Sequence, residues 1–138
     1  MIVLDASAAV ELLLSTPAGR GIARRISSPR ETLHAPHLID LEVAQALRRY
    51  VRTGELDEGR AREALEDLRD LDLGRYPHDA LLPRIWELRD NASAYDGAYL
   101  ALAEVLDATL LTTDGPLGRV PGVRARGEVF PSPPDNPG

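Results

Sequence analysis

Cysteine is absent from this sequence of 138 residues, and so is lysine. Without cysteine there is no disulfide, no thiolate nucleophile and no cysteine zinc site, which fits a cytoplasmic protein. Without lysine no ammonium is on hand to hold a phosphoryl group, and all 16 basic residues are arginine. Aromatic residues make up only 4% against 43% hydrophobic, so the core has to be aliphatic, built of Leu, Val, Ile and Ala. No apolar run approaches the roughly 18 to 20 residues of a membrane span, and no membrane role is expected. A secretory signal is not read at the N-terminus either: it has no basic segment, and Asp5 interrupts the first apolar stretch.

What is present is acid. Asp and Glu number 22, and the net charge is −6. That balance argues against a protein that coats nucleic acid non-specifically. It leaves room for an enzyme acting on nucleic acid, because local arginines can take phosphates in bidentate fashion while carboxylates hold metal. The length suits one domain with a real core.

Strand and helix signals alternate along the chain. "IVLD" (2–5) reads as a short buried strand, and "SAAVELLL" as a helix with Ser7 a candidate N-cap. "SSPRETLHAP" reads as loop with a short strand around Thr32–His34. A helix is expected over Leu38–Thr53, closed by Gly54, and another over Asp57–Leu71, where Ala61, Ala64, Leu65, Leu68 and Leu71 form one stripe. "LDLGRYP" predicts a brief strand and "HDALLPRIWELRDN" a helix that tolerates Pro83 only in its first turn. "NASAYDGAYLALAE" predicts a helix running to about Leu106, "ATLLTTD" a strand, and "VRARGEVF" a last strand. "PSPPDNPG" has the composition of a frayed tail. The alternation implies a parallel α/β sheet covered on both faces.

Two acids stand out by position: Asp5 ends the first strand and Asp114 ends "ATLLTTD". In open parallel sheets, ligand sites lie beyond the carboxyl ends of strands, at the switch in strand order. If the two strands are neighbours, both carboxylates emerge about 5 Å apart. Asp96 starts the helix leading into the second of these strands, and Glu42 lies near the start of the Leu38 helix. Taken singly, Asp5 and Asp114 read equally well as turn residues, Asp96 as the reciprocal acid of a capping box with Ser93, and Glu42 as a surface charge. Taken together they require compensation, since carboxylates that close repel by roughly 3 kcal/mol per pair at an effective dielectric of 20. Oxygen-only donors of high charge suit Mg²⁺ or Mn²⁺, which accept phosphate oxygens as further ligands.

The pieces "VLDASAAVELLL", "PHLIDLEVAQALRRYVRTGEL", "RYPHDALLPRIWELRDNASAYDGAYLALAE" and "LLTTDGPL" resemble the PIN-domain ribonucleases, specifically the VapC toxins of bacterial toxin–antitoxin pairs. The resemblance covers the chain to about Phe130. It implies a three-layer α/β/α PIN-like domain over residues 1–130 with a central parallel sheet, and the composition of 131–138 implies a disordered tail beyond it. The resemblance also implies a Mg²⁺- or Mn²⁺-dependent endoribonuclease that is a homodimer and is silenced by a VapB-type antitoxin entering the active-site groove. Asp5, Glu42, Asp96 and Asp114 fall where that family carries its acidic quartet, as catalytic and metal-holding residues. Two departures stand out. Pro116 takes the place of a basic residue two positions after the last acid, with Arg119 the candidate to replace it. Gly97 follows Asp96 where alanine or cysteine is common, which would loosen the helix start.

Other residues have double readings. Ser7 and Thr113 can support the acids with their hydroxyls, or simply cap a helix and fill a strand. Asn91 can contact the site or end a helix. Of Arg48, Arg49 and Arg52, at least one should face the groove. His34 and His37 lack a third ligand for a metal, and Trp86, Tyr95 and Tyr99 read as core or dimer contacts. Two rival functions differ in kind: a non-catalytic PIN-like scaffold binding RNA or a partner, and a signalling receiver domain. The receiver wants a lysine that this chain does not have.

Overall fold

Ile2, Val3 and Leu4 form β1 (Ile2–Leu4), a strand with no polar face, and all three side chains are fully buried. Such a strand belongs in the middle of a sheet covered on both sides. In this computed structural model, which describes residues 1–131, β1 holds that place. Its parallel neighbours are β2 (Leu33–Pro36) and β4 (Thr109–Thr112). Beyond them lie β3 (Leu73–Tyr76), paired with β2, and β5 (Gly127–Val129), paired with β4, both parallel. The order is β3-β2-β1-β4-β5. The chain therefore winds outward from β1 in one direction and then resumes on its other side, so the switch in strand order falls between β1 and β4. The tail expected over 131–138 lies, from residue 132 on, outside the described residues.

Helices cover both faces. On one side α1 (Ala6–Leu13) packs against α2 (Pro17–Arg25), α3 (Ile39–Arg52) and α4 (Glu58–Asp70). On the other, α6 (Ala94–Leu106) lies against β1, β2 and β4 and packs with α5 (Leu82–Glu87). This is the three-layer α/β/α architecture with a central parallel sheet. Helix α6 is buried without interruption from Gly97 to Ala103, which explains its small-residue composition. Gly97 has a packing reason: a Cβ there would lie 3.2 Å from Ile85 Cγ2 of α5. It sets how closely the two helices approach, rather than loosening the start of one.

Most elements fall where the periodicity puts them, and Pro83 does sit in the first turn of α5. Helix α2 is the element that pattern reading passes over. Its signals are local: Thr16 caps Gly19 N–H with its hydroxyl at 3.0 Å, and Pro17 occupies the first helical position, where its missing N–H costs nothing. The cap of α1 also differs from expectation. Asp5, not Ser7, is the N-cap, accepting from Ala8 N–H at 2.8 Å.

The α1–α2 corner is closed by a glycine. A Cβ on Gly19 would fall 1.9 Å from the Glu11 carbonyl oxygen, a backbone atom that cannot step aside. Gly19→Ala should therefore cost about 1–3 kcal/mol of stability through overpacking, read as a lower urea midpoint at unchanged slope. A midpoint equal to wild type would show that the corner is slack.

Candidate active site

Strand β1 ends at Asp5, and the turn into α1 buries that carboxylate to 4% exposure. Three donors hold it. Ser7 Oγ donates to Oδ1 at 2.7 Å and the Ala8 amide to the same oxygen at 2.8 Å, while Thr112 Oγ1 donates to Oδ2 at 2.5 Å. The two hydroxyls are themselves fixed by the end of β4. Thr113 N–H donates to Ser7 Oγ at 3.0 Å and Asp114 N–H to Thr112 Oγ1 at 2.9 Å. Of the two hydroxyls expected to support the acids, Ser7's does so. Thr113 contributes its amide instead, and the working hydroxyl is that of fully buried Thr112. Strand alternation could have singled it out, because a polar side chain on the same face as buried Leu110 needs a partner.

The other three acids come from separate elements. Asp114 follows β4 on the exposed edge and accepts the Leu117 amide with Oδ1 at 3.1 Å, starting the 3₁₀ turn Leu117–Arg119. Asp96 lies in the first turn of α6. The Asp96 amide donates to Ser93 Oγ at 3.1 Å, so half of the expected capping box is formed. Glu42, in the first turn of α3, accepts a 2.6 Å hydrogen bond from the hydroxyl of Tyr99 on α6. Tyr99 is 1% exposed, a core residue as expected, yet its hydroxyl grips an acid of the site. The signal for this role was its spacing from Asp96, three residues on and so on the same face of α6.

These carboxylates feel one another. Burial pushes Asp5 up to about 6 in spite of its three donors, and the charge of Asp114 adds to the rise. Asp96 is raised by burial and then by Asp114, and Glu42 by burial and then by Asp96, with Tyr99 opposing. Tyr99 is driven far above its ordinary value by burial, by its bond to Glu42, and by the charges of Glu42, Asp5 and Asp96. None of the four acids takes part in the ion pairs among the described residues, whereas Asp40, Glu104 and Glu128 each bind an arginine. No three of them, or of any His, Cys, Asp and Glu among the described residues, are close enough to form a finished metal cage. The cluster is thus a partly desolvated, uncompensated set of hard oxygen donors, gathered but open. Such chemistry suits a cation that keeps several of its own waters.

Around this cluster, Arg49 lines a cleft with Glu42, while Arg48 and Arg52 face α4 instead. Arg119 folds back so that Nη2 stands 3.2 Å from where a Cβ on Gly115 would be, next to Asp114. Asn91 is exposed in the turn between α5 and α6, its amide bonded to Leu88 O. His34 is bound between Thr32 and Tyr76 on the sheet.

A family model described as the PIN domain matches residues 2–123. The VapC ribonuclease Mb0985 of Mycobacterium bovis is 47% identical over 114 residues, covering 83% of this chain and 86% of that protein. Among solved structures, PAE2754 from Pyrobaculum aerophilum is similar with a TM-score of 0.68 at 25% identity, covering 93% of this chain and 83% of that one. VapBC2 from Rickettsia felis, bound to a DNA fragment from their promoter, gives a TM-score of 0.65 over 92% of this chain and 98% of that one. At 14% identity this last likeness concerns the fold alone.

The raised carboxyl of Asp5 has a thermodynamic consequence. Between the unfolded value of 3.8 and about 6, the native chain keeps a proton that the unfolded chain has lost. The associated stability is complete below the lower value and is lost as pH rises through the upper one. Asp5→Asn removes the charge and keeps the shape. In chelator at about pH 7.5 it should melt above wild type by at most on the order of 3 kcal/mol, the gap closing toward about pH 4. A gap that stays constant with pH would show that Asp5 is not destabilised by its burial.

Proposed function

The chain belongs to the PIN-domain family, and from that premise we propose that it is a metal-dependent endoribonuclease, the VapC-type toxin of a toxin–antitoxin pair. One observation carries the proposal: the charge of Asp114 acts on Asp5 and Asp96 and that of Asp96 on Glu42, these three carboxyls are raised, and among the described residues none of the four acids is paired with an arginine. Asp5, Asp96 and Asp114 would hold Mg²⁺ or Mn²⁺, with Glu42 beside them. The ion, when bound, supplies charge neutralisation at the phosphodiester and a lowered pKa for water.

The protein's own groups do the rest. Ser7, Thr112 and the Ala8 amide leave Asp5 one fixed direction in which to offer its remaining lone pair. Tyr99 keeps Glu42 aimed and opposes the rise that burial imposes on it, so that Glu42 can orient the attacking water and accept its proton. Attack by water in line with the leaving oxygen makes the ribose 2′-OH unnecessary and leaves 5′-phosphate ends. Arg119, beside Asp114, replaces the phosphate contact that Pro116 removes. Residues 1–130 act as one domain. A VapB-type antitoxin silences the enzyme by entering its groove. Among the described residues no helix is long and apolar enough to cross a membrane, and the cytoplasm is the proposed compartment.

A homodimer fits the surface. Leu82 and Trp86, one helical turn apart on α5, are 53% and 68% exposed, and Tyr95 at the start of α6 is 65% exposed. Leu82 and Tyr95 line one shallow apolar pocket. Large apolar side chains grouped in this way are the mark of an interface.

Asp5→Asn, Asp96→Asn, or excess chelator should abolish cleavage of single-stranded RNA, and Glu42→Gln should lower it about 10²–10⁴-fold. Circular dichroism should be unchanged throughout. Induced wild-type chain should arrest growth, and the Asp5→Asn chain should not. Cleavage at wild-type rate in either Asp variant would falsify the mechanism and favour a non-catalytic scaffold. Leu82→Arg should convert a dimer to a monomer in light scattering; a dimer that survives it lies elsewhere.

A further inference from the structure

Beside the acids, α1 and α3 part to leave a cleft of about 310 Å³, most of whose lining beyond Ser7 and Glu42 has no part in the cleavage chemistry. Two facing stripes line it: Ser7, Val10 and Glu11 on α1, and Glu42, Ala46 and Arg49 on α3, with Gln45 at its edge. Spacings of three, four and seven place each set on one face of its helix. The small side chains of Ala6 and Ala46 and the short Val10 hold the slot open, and Tyr50 adds a ring. Ser7, Glu42 and Thr113 also border the acid cluster, so the cleft and the cluster share a wall.

Its polar groups have capacity to spare. Among the described residues, Gln45 and Arg49 make no side-chain hydrogen bond or ion pair and both are exposed. Glu11 Oε2 accepts the Thr16 hydroxyl, which leaves Oε1 and a further lone pair open. Apolar walls, a ring and a hydrogen-bonding rim are what an unstacked base needs for recognition.

Resting on the ribonuclease reading above, we infer that this cleft is a nucleobase subsite that seats a guanine next to the cut phosphodiester. Guanine is the base with two adjacent donors, N1–H and N2–H, on its pairing edge, which match a carboxylate such as that of Glu11. Gln45 can then bond an acceptor of the same base, and Arg49, at the outer end, takes the next phosphate. A cationic peptide would satisfy Glu11 and Glu42 but would set like charge against Arg49. A neutral base followed by a phosphate satisfies Glu11 and Arg49 and leaves Glu42 to Tyr99.

The test is to sequence RNA ends after cleavage of a random single-stranded RNA library by the full chain. Wild type should enrich guanine at one fixed position beside the cut. Glu11→Gln and Gln45→Ala should each lower that preference about tenfold or more, while cuts lacking guanine stay within a few fold. Ala46→Leu, which fills the slot, should raise KM for guanine-containing oligonucleotides more than it lowers kcat. Wild-type cleavage with no guanine preference, or a preference that survives Glu11→Gln and Gln45→Ala in folded protein, overturns the subsite and leaves the ribonuclease reading intact. If wild type cuts no RNA, both fall. If Glu11→Gln weakens only a co-expressed VapB-type protein's hold, with the RNA preference unchanged, the cleft belongs to a protein partner and the inference is overturned.

Discussion

A carboxylate at the end of a fully apolar strand is held almost out of water by Ser7, Thr112 and a free amide in the first turn of a helix. The surroundings of Asp5 follow from the cost of placing it there. Burying an ionised acid is expensive unless its lone pairs are met, and three donors from β1's own turn and from β4 meet most of them. The same bonds lock the neighbouring strand ends together, so Asp114 arrives at a fixed place beside Asp5. One donor set thus serves both fold and site: it anchors the central pair of strands and orients the first acid.

Charge is distributed along the same line. Away from the site, arginines neutralise acids and tie down late segments of the chain. Arg25 holds Glu128 of β5, Arg75 grips Asp40 through both carboxylate oxygens, and Arg84 binds the nearly buried Glu104, drawing its pKa down to about 2. At the site no arginine among the described residues plays that part, and Asp5, Glu42 and Asp96 shift in the opposite direction. With no net compensation from side chains, the cluster has an electrostatic demand that protons or a divalent cation can meet. Perturbation of this kind, confined to one edge of a sheet, marks a functional site more than a structural one.

Tyr99 links the two layers of helices through the site. Its ring is core and its hydroxyl reaches Glu42 on α3, so packing of α6 sets the position of an acid on the opposite helical layer. Gly97, two residues before it, lets α6 sit close to Ile85. A small-residue helix that looks undistinguished in composition therefore positions two acids at once, Asp96 directly and Glu42 through the tyrosine.

Hydrophobic pattern and local punctuation are properties of short segments, and what depended on them was legible: the strand–helix alternation, the parallel three-layer class, the place of Pro83 and the capping serine of α6. Helix α2 escaped because its nine residues contain few apolar ones, and its start is declared by Thr16 and Pro17 rather than by periodicity. Which hydroxyl serves Asp5 was not legible, because neighbouring residues in a strand point to opposite faces and only the register of β4 against β1 decides between Thr112 and Thr113. The grip of Tyr99 on Glu42, fifty-seven positions apart in the chain, required both helices to be docked. Residue types and their order determined what chemistry the chain can carry. Only the packed structure decided which groups face one another, because contacts between distant segments arise from burial and strand register, which no single segment encodes.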